Sequence, residues 1–172
     1  MNSRGLLPPA DVPYPASLSD VHQRFVREAP FSRERQRVFD ALALYASLVW
    51  ERLPSAKLRI DGGFVTHKAW AAPADADVVV VLDENCTEDG LDAALEAPLF
   101  TVLSMTGTVT GVGVSLPKAH VMGGLIDAFP THSTAPASLA FWHDFWSKVT
   151  GQDKTELPGV RKGYVEVSNP DA

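Results

Sequence analysis

Apolar positions recur at helical spacing over one long stretch, at Val38, Leu42, Tyr45, Leu48 and Val49, with Arg33, Arg35, Gln36 and Arg37 on the remaining faces. That period predicts an amphipathic helix opening near Ser32 and stopped by Pro54. Upstream, Pro8, Pro9, Pro13 and Pro15 make residues 1–16 an extended arm laid on the surface. Ser17 followed by Asp20 reads as a capping box opening a short helix to about Glu28, ended by Pro30. Beyond Pro54 the period changes to two. Lys57 to Asp61 alternates as a short strand entering a Gly62-Gly63 turn, and Asp75-Ala76-Asp77 leads into Val78–Leu82. This β-branched run is that of a central strand covered on both faces.

The second half carries a helical stretch from Asp89 to Leu95, then Thr106–Gly113, whose glycines fit neither period. His120 to Phe129 reads as a buried strand with Asp127 near its end, closed by Pro130. A helix over Ala137–Val149 carries Leu139, Phe141, Trp142, Phe145 and Trp146, with the two tryptophans one turn apart as core or interface in preference to a base-stacking platform. Gly163–Val167 is a last strand. Without an internal repeat, this order predicts one α/β (α+β) domain over 1–172.

Composition narrows the function classes. The 172 residues, 45% hydrophobic and 21% charged, suit one compact domain. A net charge of −6, with basic residues scattered along the chain, argues against nonspecific binding of duplex nucleic acid. Cys86 is the only cysteine, so no internal disulfide or cysteine-based zinc site forms, and a reducing cytoplasm is the expected location. The prolines after Met1 interrupt any signal peptide, and Val78–Leu82 is too short to cross a bilayer, so no membrane association is expected.

Candidate chemistry centres on carboxylates. Asp75 and Asp77, two apart on a strand, project to one face and can share a cation. Asp127 holds a similar place on another strand, and three convergent acids suit Mg²⁺ or Mn²⁺, hard cations that prefer oxygen ligands. Gly62 and Gly63 let backbone amides approach a phosphate, with Thr66 and Lys68 supplying a hydroxyl and a charge. His67, His120, His132 and His143 are too dispersed to specify a metal site, His67 having the best claim through its loop.

Together these residues resemble the polymerase-β-like nucleotidyltransferase superfamily, marked by Gly followed by Ser or Gly, an acid-x-acid strand and a third acid on a later strand. Closer still are small, mostly uncharacterised bacterial and phage members. Their Leu-Pro-Pro arm, G-[SG]-F-V-T-x-K stretch, I-D-x-F-P strand and K-G strand match Leu7-Pro8-Pro9, Gly62 to Lys68, Ile126 to Pro130 and Lys162-Gly163. The resemblance implies a nucleotidyltransferase fold, a mixed central sheet flanked by helices. It implies Asp75 and Asp77 on two catalytic metals, with Asp127 binding one and helping to deprotonate the attacking hydroxyl. A nucleoside monophosphate would pass from an NTP, ATP first among them, to a protein or nucleic-acid acceptor, by analogy within a toxin–antitoxin or phage-defence system. Gly63 stands where many active members carry Ser, which leaves a second reading open: a catalytically lapsed fold acting as a binding or regulatory, antitoxin-like module.

Overall fold

The computed structural model describes residues 1–172. Ser17 caps helix α1 (Leu18–His22), its hydroxyl accepting from the Asp20 amide while the Asp20 carboxylate accepts from the Ser17 amide. The chain then widens into one π-helical turn, Gln23–Arg27, which buries Phe25 and Val26. Helix α2 (Ser32–Arg52) turns Val38, Leu42, Tyr45 and Val49 inward as the spacing predicts. Arg35 is a correction: it is fully buried, not on a solvent face.

Five strands form a mixed sheet: β1 (Tyr14–Ala16), β2 (Lys57–Asp61), β3 (Ala76–Leu82), β6 (Ile126–His132) and β9 (Val165–Val167), in the order β1-β9-β2-β3-β6. The outer pairs β1–β9 and β3–β6 are parallel, and β9–β2 and β2–β3 antiparallel. The arm is therefore more than a surface tail, since it contributes edge strand β1 and buries Leu6 beside Thr66.

Strand alternation sorts the side chains. Leu58, Ile60, Ala76, Val78, Val80, Leu82, Ile126 and Ala128 join α2 in the main core. Val79 and Val81 face the other way, onto Trp146 and Tyr164, with Trp142 packed beside them. The Asp61, Asp77 and Asp127 positions share the parity of that second face. It is covered in part by α4 (Pro136–Ser147).

Three segments depart from the sequence pattern. Thr106–Gly113 belongs to a hairpin, β4 (Val102–Val109) with β5 (Val112–Ala119), closed by left-handed Thr110 and Gly111. It projects from the crossover between β3 and β6 after α3 (Glu88–Glu96), so its sides meet solvent and no burial period marks it. His120–Leu125 is not strand: Gly123 and Gly124 adopt positive φ, and β6 starts only at Ile126. β6 then runs through Pro130, because an edge strand tolerates a missing N–H. Asp127 consequently lies near the start of its strand, not its end. Lys148 and Val149 leave the helix for β7 (Lys148–Thr150), which pairs with β8 (Glu156–Arg161). No helix is long and apolar enough to cross a membrane.

Candidate functional site

Register creates the site. Asp61 ends β2 opposite Asp77 of β3, and Asp77 lies opposite Asp127 of β6. Three aspartates thus stand side by side across three adjacent strands, at one end of the sheet. Asp75, one residue ahead of β3, adds a fourth carboxylate close enough to act on Asp77.

The two outer carboxylates are each matched to a lysine delivered by a hairpin. Lys162, just after β8, is buried against Asp61. Lys118, on β5, pairs with Asp127 and lies 5.3 Å from the centre of the Phe129 ring. Asp127 also accepts from the Thr101 hydroxyl at 2.7 Å, and His120 Nδ1 stands 3.6 Å from it, buried without a hydrogen-bond partner.

The central carboxylate has no such partner. Burial raises the pKa of Asp77 from 3.8 to about 7, assisted by the negative charges of Asp75, Asp61 and Asp127 and opposed by Lys162. Asp61 is raised too, because the desolvation of full burial exceeds what Lys162 and the Gly62 amide restore. A buried carboxylate crowded by carboxylates is a place where a divalent cation relieves repulsion, and all the donors are hard oxygens. As the side chains stand, no three acidic, histidine or cysteine groups close around a common point.

The glycine turn is shaped by the same carboxylate. Gly62 holds φ +79°, and a Cβ there would lie 1.9 Å from Asp77 Oδ2. Only glycine allows Asp77 its position. At Gly63 a Cβ would meet Lys68 Nζ at 2.8 Å, so the missing side chain leaves room for that ammonium. Desolvation and the nearby Arg35 lower the Lys68 pKa, while Asp75 raises it. The Thr66 hydroxyl donates to the Gly63 carbonyl at 2.8 Å, which closes the turn and commits its single proton.

Arg35 holds this loop from beneath. Its guanidinium donates to the carbonyls of Phe64 (2.6 Å), Thr66 (2.5 Å), Phe25 (3.1 Å) and Pro30 (2.7 Å), while desolvation lowers its pKa to about 10. The spacing contains its signal, since Arg35 continues the apolar stripe of Val38, Leu42, Tyr45 and Val49 by one turn.

The structure therefore brings Asp75, Asp77 and Asp127 together beside Gly62, with Gly63 and Lys68 adjoining. It adds Asp61, Lys162, Lys118 and His120, none of them a site candidate by sequence, where Lys162 figures only in the Lys-Gly match and His120 only among the dispersed histidines. Asp61 was accessible from strand pairing, because it precedes the turn as Asp77 follows it. Lys118 and His120 carry no local signal, being placed by a hairpin and a glycine bend. His67 binds the Arg24 carbonyl at 2.7 Å through Nε2 instead of facing the carboxylates.

Fold and site together define an α+β domain with an acidic cluster at the end of a mixed sheet. The chain belongs to DUF6932, a family of unknown function, whose model matches residues 1–168. No curated protein and no solved structure matches it.

Proposed function

We propose that the protein is a metal-dependent nucleotidyltransferase of the polymerase-β-like superfamily, transferring a nucleoside monophosphate from an NTP to a protein or nucleic-acid hydroxyl. The observation that carries this reading is the in-register row Asp61, Asp77, Asp127, with Asp75 alongside and Gly62 making space for the central carboxylate. The bend at Gly62, the acid-x-acid strand and the later acidic strand, in a mixed sheet, agree with that superfamily's pattern.

In this reading Asp75, Asp77 and Asp127 hold Mg²⁺ or Mn²⁺, which when bound supplies positive charge to the triphosphate and its α-phosphorus. The acceptor hydroxyl attacks the α-phosphorus in line, its proton passes to a carboxylate of the cluster, and pyrophosphate leaves. Lys68 beside Gly63 is placed to neutralise an anionic oxygen at the turn. Lys162 keeps the Asp61 charge compensated, so the cluster is not overwhelmed by repulsion. Transfer then rests on positioning and charge stabilisation.

A second reading, a lapsed enzyme serving as a binding or regulatory module, is favoured by Lys118, whose ammonium occupies Asp127 where a cation would compete for it. The two readings separate in one experiment. The protein is incubated with each α-³²P-labelled NTP and Mg²⁺ or Mn²⁺, and nucleotide binding, pyrophosphate release and label transfer are followed. Active transfer predicts all three, abolished in Asp77→Asn and Asp127→Asn. Absence of nucleotide binding by the unaltered protein under every metal condition sinks the enzyme reading.

A further inference from the structure

A second charged feature lies beside the π-helical turn, at the start of α2. The π-helical turn and the start of α2 enclose an open groove of ≈ 650 Å³, lined by Val26, Arg27, Ser32, Arg33, Arg37 and Asp40, with Gln36 between the arginines. Arg33 and Arg37 are one helical turn apart on α2, and Arg27 faces them from the π turn. None of the three makes an ion pair or side-chain hydrogen bond within the protein, whereas the neighbouring Arg24 is paired with Glu28 at 3.0 Å. The single acid of the groove, Asp40, accepts from Gln36 at 2.7 Å. Three uncommitted guanidinium groups around one groove are unexpected in a chain of net charge −6. The three arginines lie within eleven residues of one another, and the π turn and the start of α2 bring them round one groove.

We infer that this groove binds the phosphate backbone of single-stranded nucleic acid. Planar guanidinium forks match phosphate oxygens two at a time, and neighbours at i and i+4 lie about 6 Å apart, a spacing that lets two forks take separate phosphates. Phe31 does not line the groove but immediately precedes the lining residue Ser32, holds φ +63° and is 37% exposed, offering next to the arginines an aromatic side chain for base stacking that a phosphopeptide or an acidic peptide would not need. Val26 is the only apolar residue lining the groove, so recognition there is electrostatic and indifferent to sequence. The inference does not rest on nucleotidyl transfer, although Arg35 joins the segment around the π turn, at the Phe25 and Pro30 carbonyls, to the loop at Phe64 and Thr66.

The test is fluorescence anisotropy of the full chain with fluorescein-labelled single-stranded DNA and RNA oligomers across a salt series. Binding should weaken with salt at a log–log slope of about −2, as expected for three phosphate contacts on a single strand. Arg33→Ala/Arg37→Ala should weaken binding about tenfold or more and cut the slope to about one third. Phe31→Leu should weaken binding about fivefold with the slope unchanged. Asp77→Asn should bind like the unaltered protein, which separates the groove from the carboxylate site. Circular dichroism checks that each variant is folded. The inference is overturned if single strands do not bind, if the double arginine variant binds normally, or if Asp77→Asn abolishes binding. Equal affinity for duplex, for a glutamate-rich or phosphorylated peptide, or for inorganic polyphosphate with Phe31→Leu silent, overturns it as well.

Discussion

Gly62 and Asp77 depend on one another. The left-handed φ of Gly62 costs a side-chain-bearing residue about 1 kcal/mol, and the Asp77 carboxylate fills the space a Cβ would take. Gly62→Ala should therefore lose about 1–3 kcal/mol in urea denaturation. In an Asp77→Ala background the same change should cost only the backbone share, about 1 kcal/mol. Additive losses would show that the contact is not what demands glycine. Asp77 also sets a pH dependence. Its pKa rises from 3.8 to about 7 on folding, so the folded state binds this proton more tightly than the unfolded chain. Stability from Asp77 is thus fully present below pH 3.8 and lost as pH rises through 7, at ~1.4 kcal/mol for each tenfold change in proton affinity. Asp77→Asn should accordingly raise metal-free stability at pH 8 by up to a few kcal/mol. Mn²⁺ affinity of the unaltered protein, by calorimetry, should rise between pH 6 and 8 with release of a proton. A metal affinity flat across that range would remove Asp77 from the ligand set.

Elements place what single residues cannot. Helix α2 presents Arg35 to four carbonyls from two segments, and replacement by Met leaves those acceptors buried and unpaired. Arg35→Met should cost at least ~3 kcal/mol in thermal or urea unfolding, and Arg35→Lys should recover little, because an ammonium lacks the fork that reaches four carbonyls. Hairpins β4–β5 and β7–β8 deliver Lys118 and Lys162 to the outer aspartates. If Lys118 competes with a cation for Asp127, Lys118→Met should strengthen Mn²⁺ binding about threefold or more, while weaker binding would make Lys118 a supporting residue. These elements differ in how far their sequences announce them. Helix α2 and strand β3 declare themselves because one face or both faces are buried, which imposes a period. Alternation along β3 places Asp77, whereas Asp75, expected on the same strand, lies one residue ahead of it. The β4–β5 hairpin meets solvent on both sides and leaves no period, so the lysine it carries is invisible until the chain is folded. Asp127 is identifiable, but its neighbour relation to Asp77 is a matter of strand order, which no local pattern encodes.

At the scale of the whole molecule, the proline-rich arm straps together the two segments that carry Lys68 and Lys162. The Gly5 carbonyl accepts from the His67 amide at 2.7 Å and Leu6 bridges Thr66, which ties the arm to the glycine loop. The Leu7 carbonyl accepts from the Gly163 amide at 3.1 Å, and the Tyr14 amide donates to the Tyr164 carbonyl at 2.9 Å, which ties it to the chain just after Lys162. The crossing is close enough that a Cβ at Gly163 would lie 2.6 Å from the Pro8 carbonyl oxygen. Prolines suit such a strap, since their fixed φ lowers the entropy lost on docking and their missing N–H demands no partner. Removing residues 1–16 deletes β1, uncovers the edge of β9 and exposes the pocket filled by Leu6. Burial of one leucine contributes about 1.5–3 kcal/mol and each lost hydrogen bond about 0.5–1.5 kcal/mol, so the truncated protein should lose at least ~3 kcal/mol. For a chain of this size that corresponds to a fall in Tm of about 6–12 °C by scanning calorimetry. Gly163→Ala should reproduce part of the fall by displacing the arm, and should add little once the arm is gone, because the Pro8 oxygen it would strike is absent. A truncated protein melting within about 2 °C of the full chain would instead make the arm an independent tail, and the sheet would then be held by β2, β3, β6 and β9 alone.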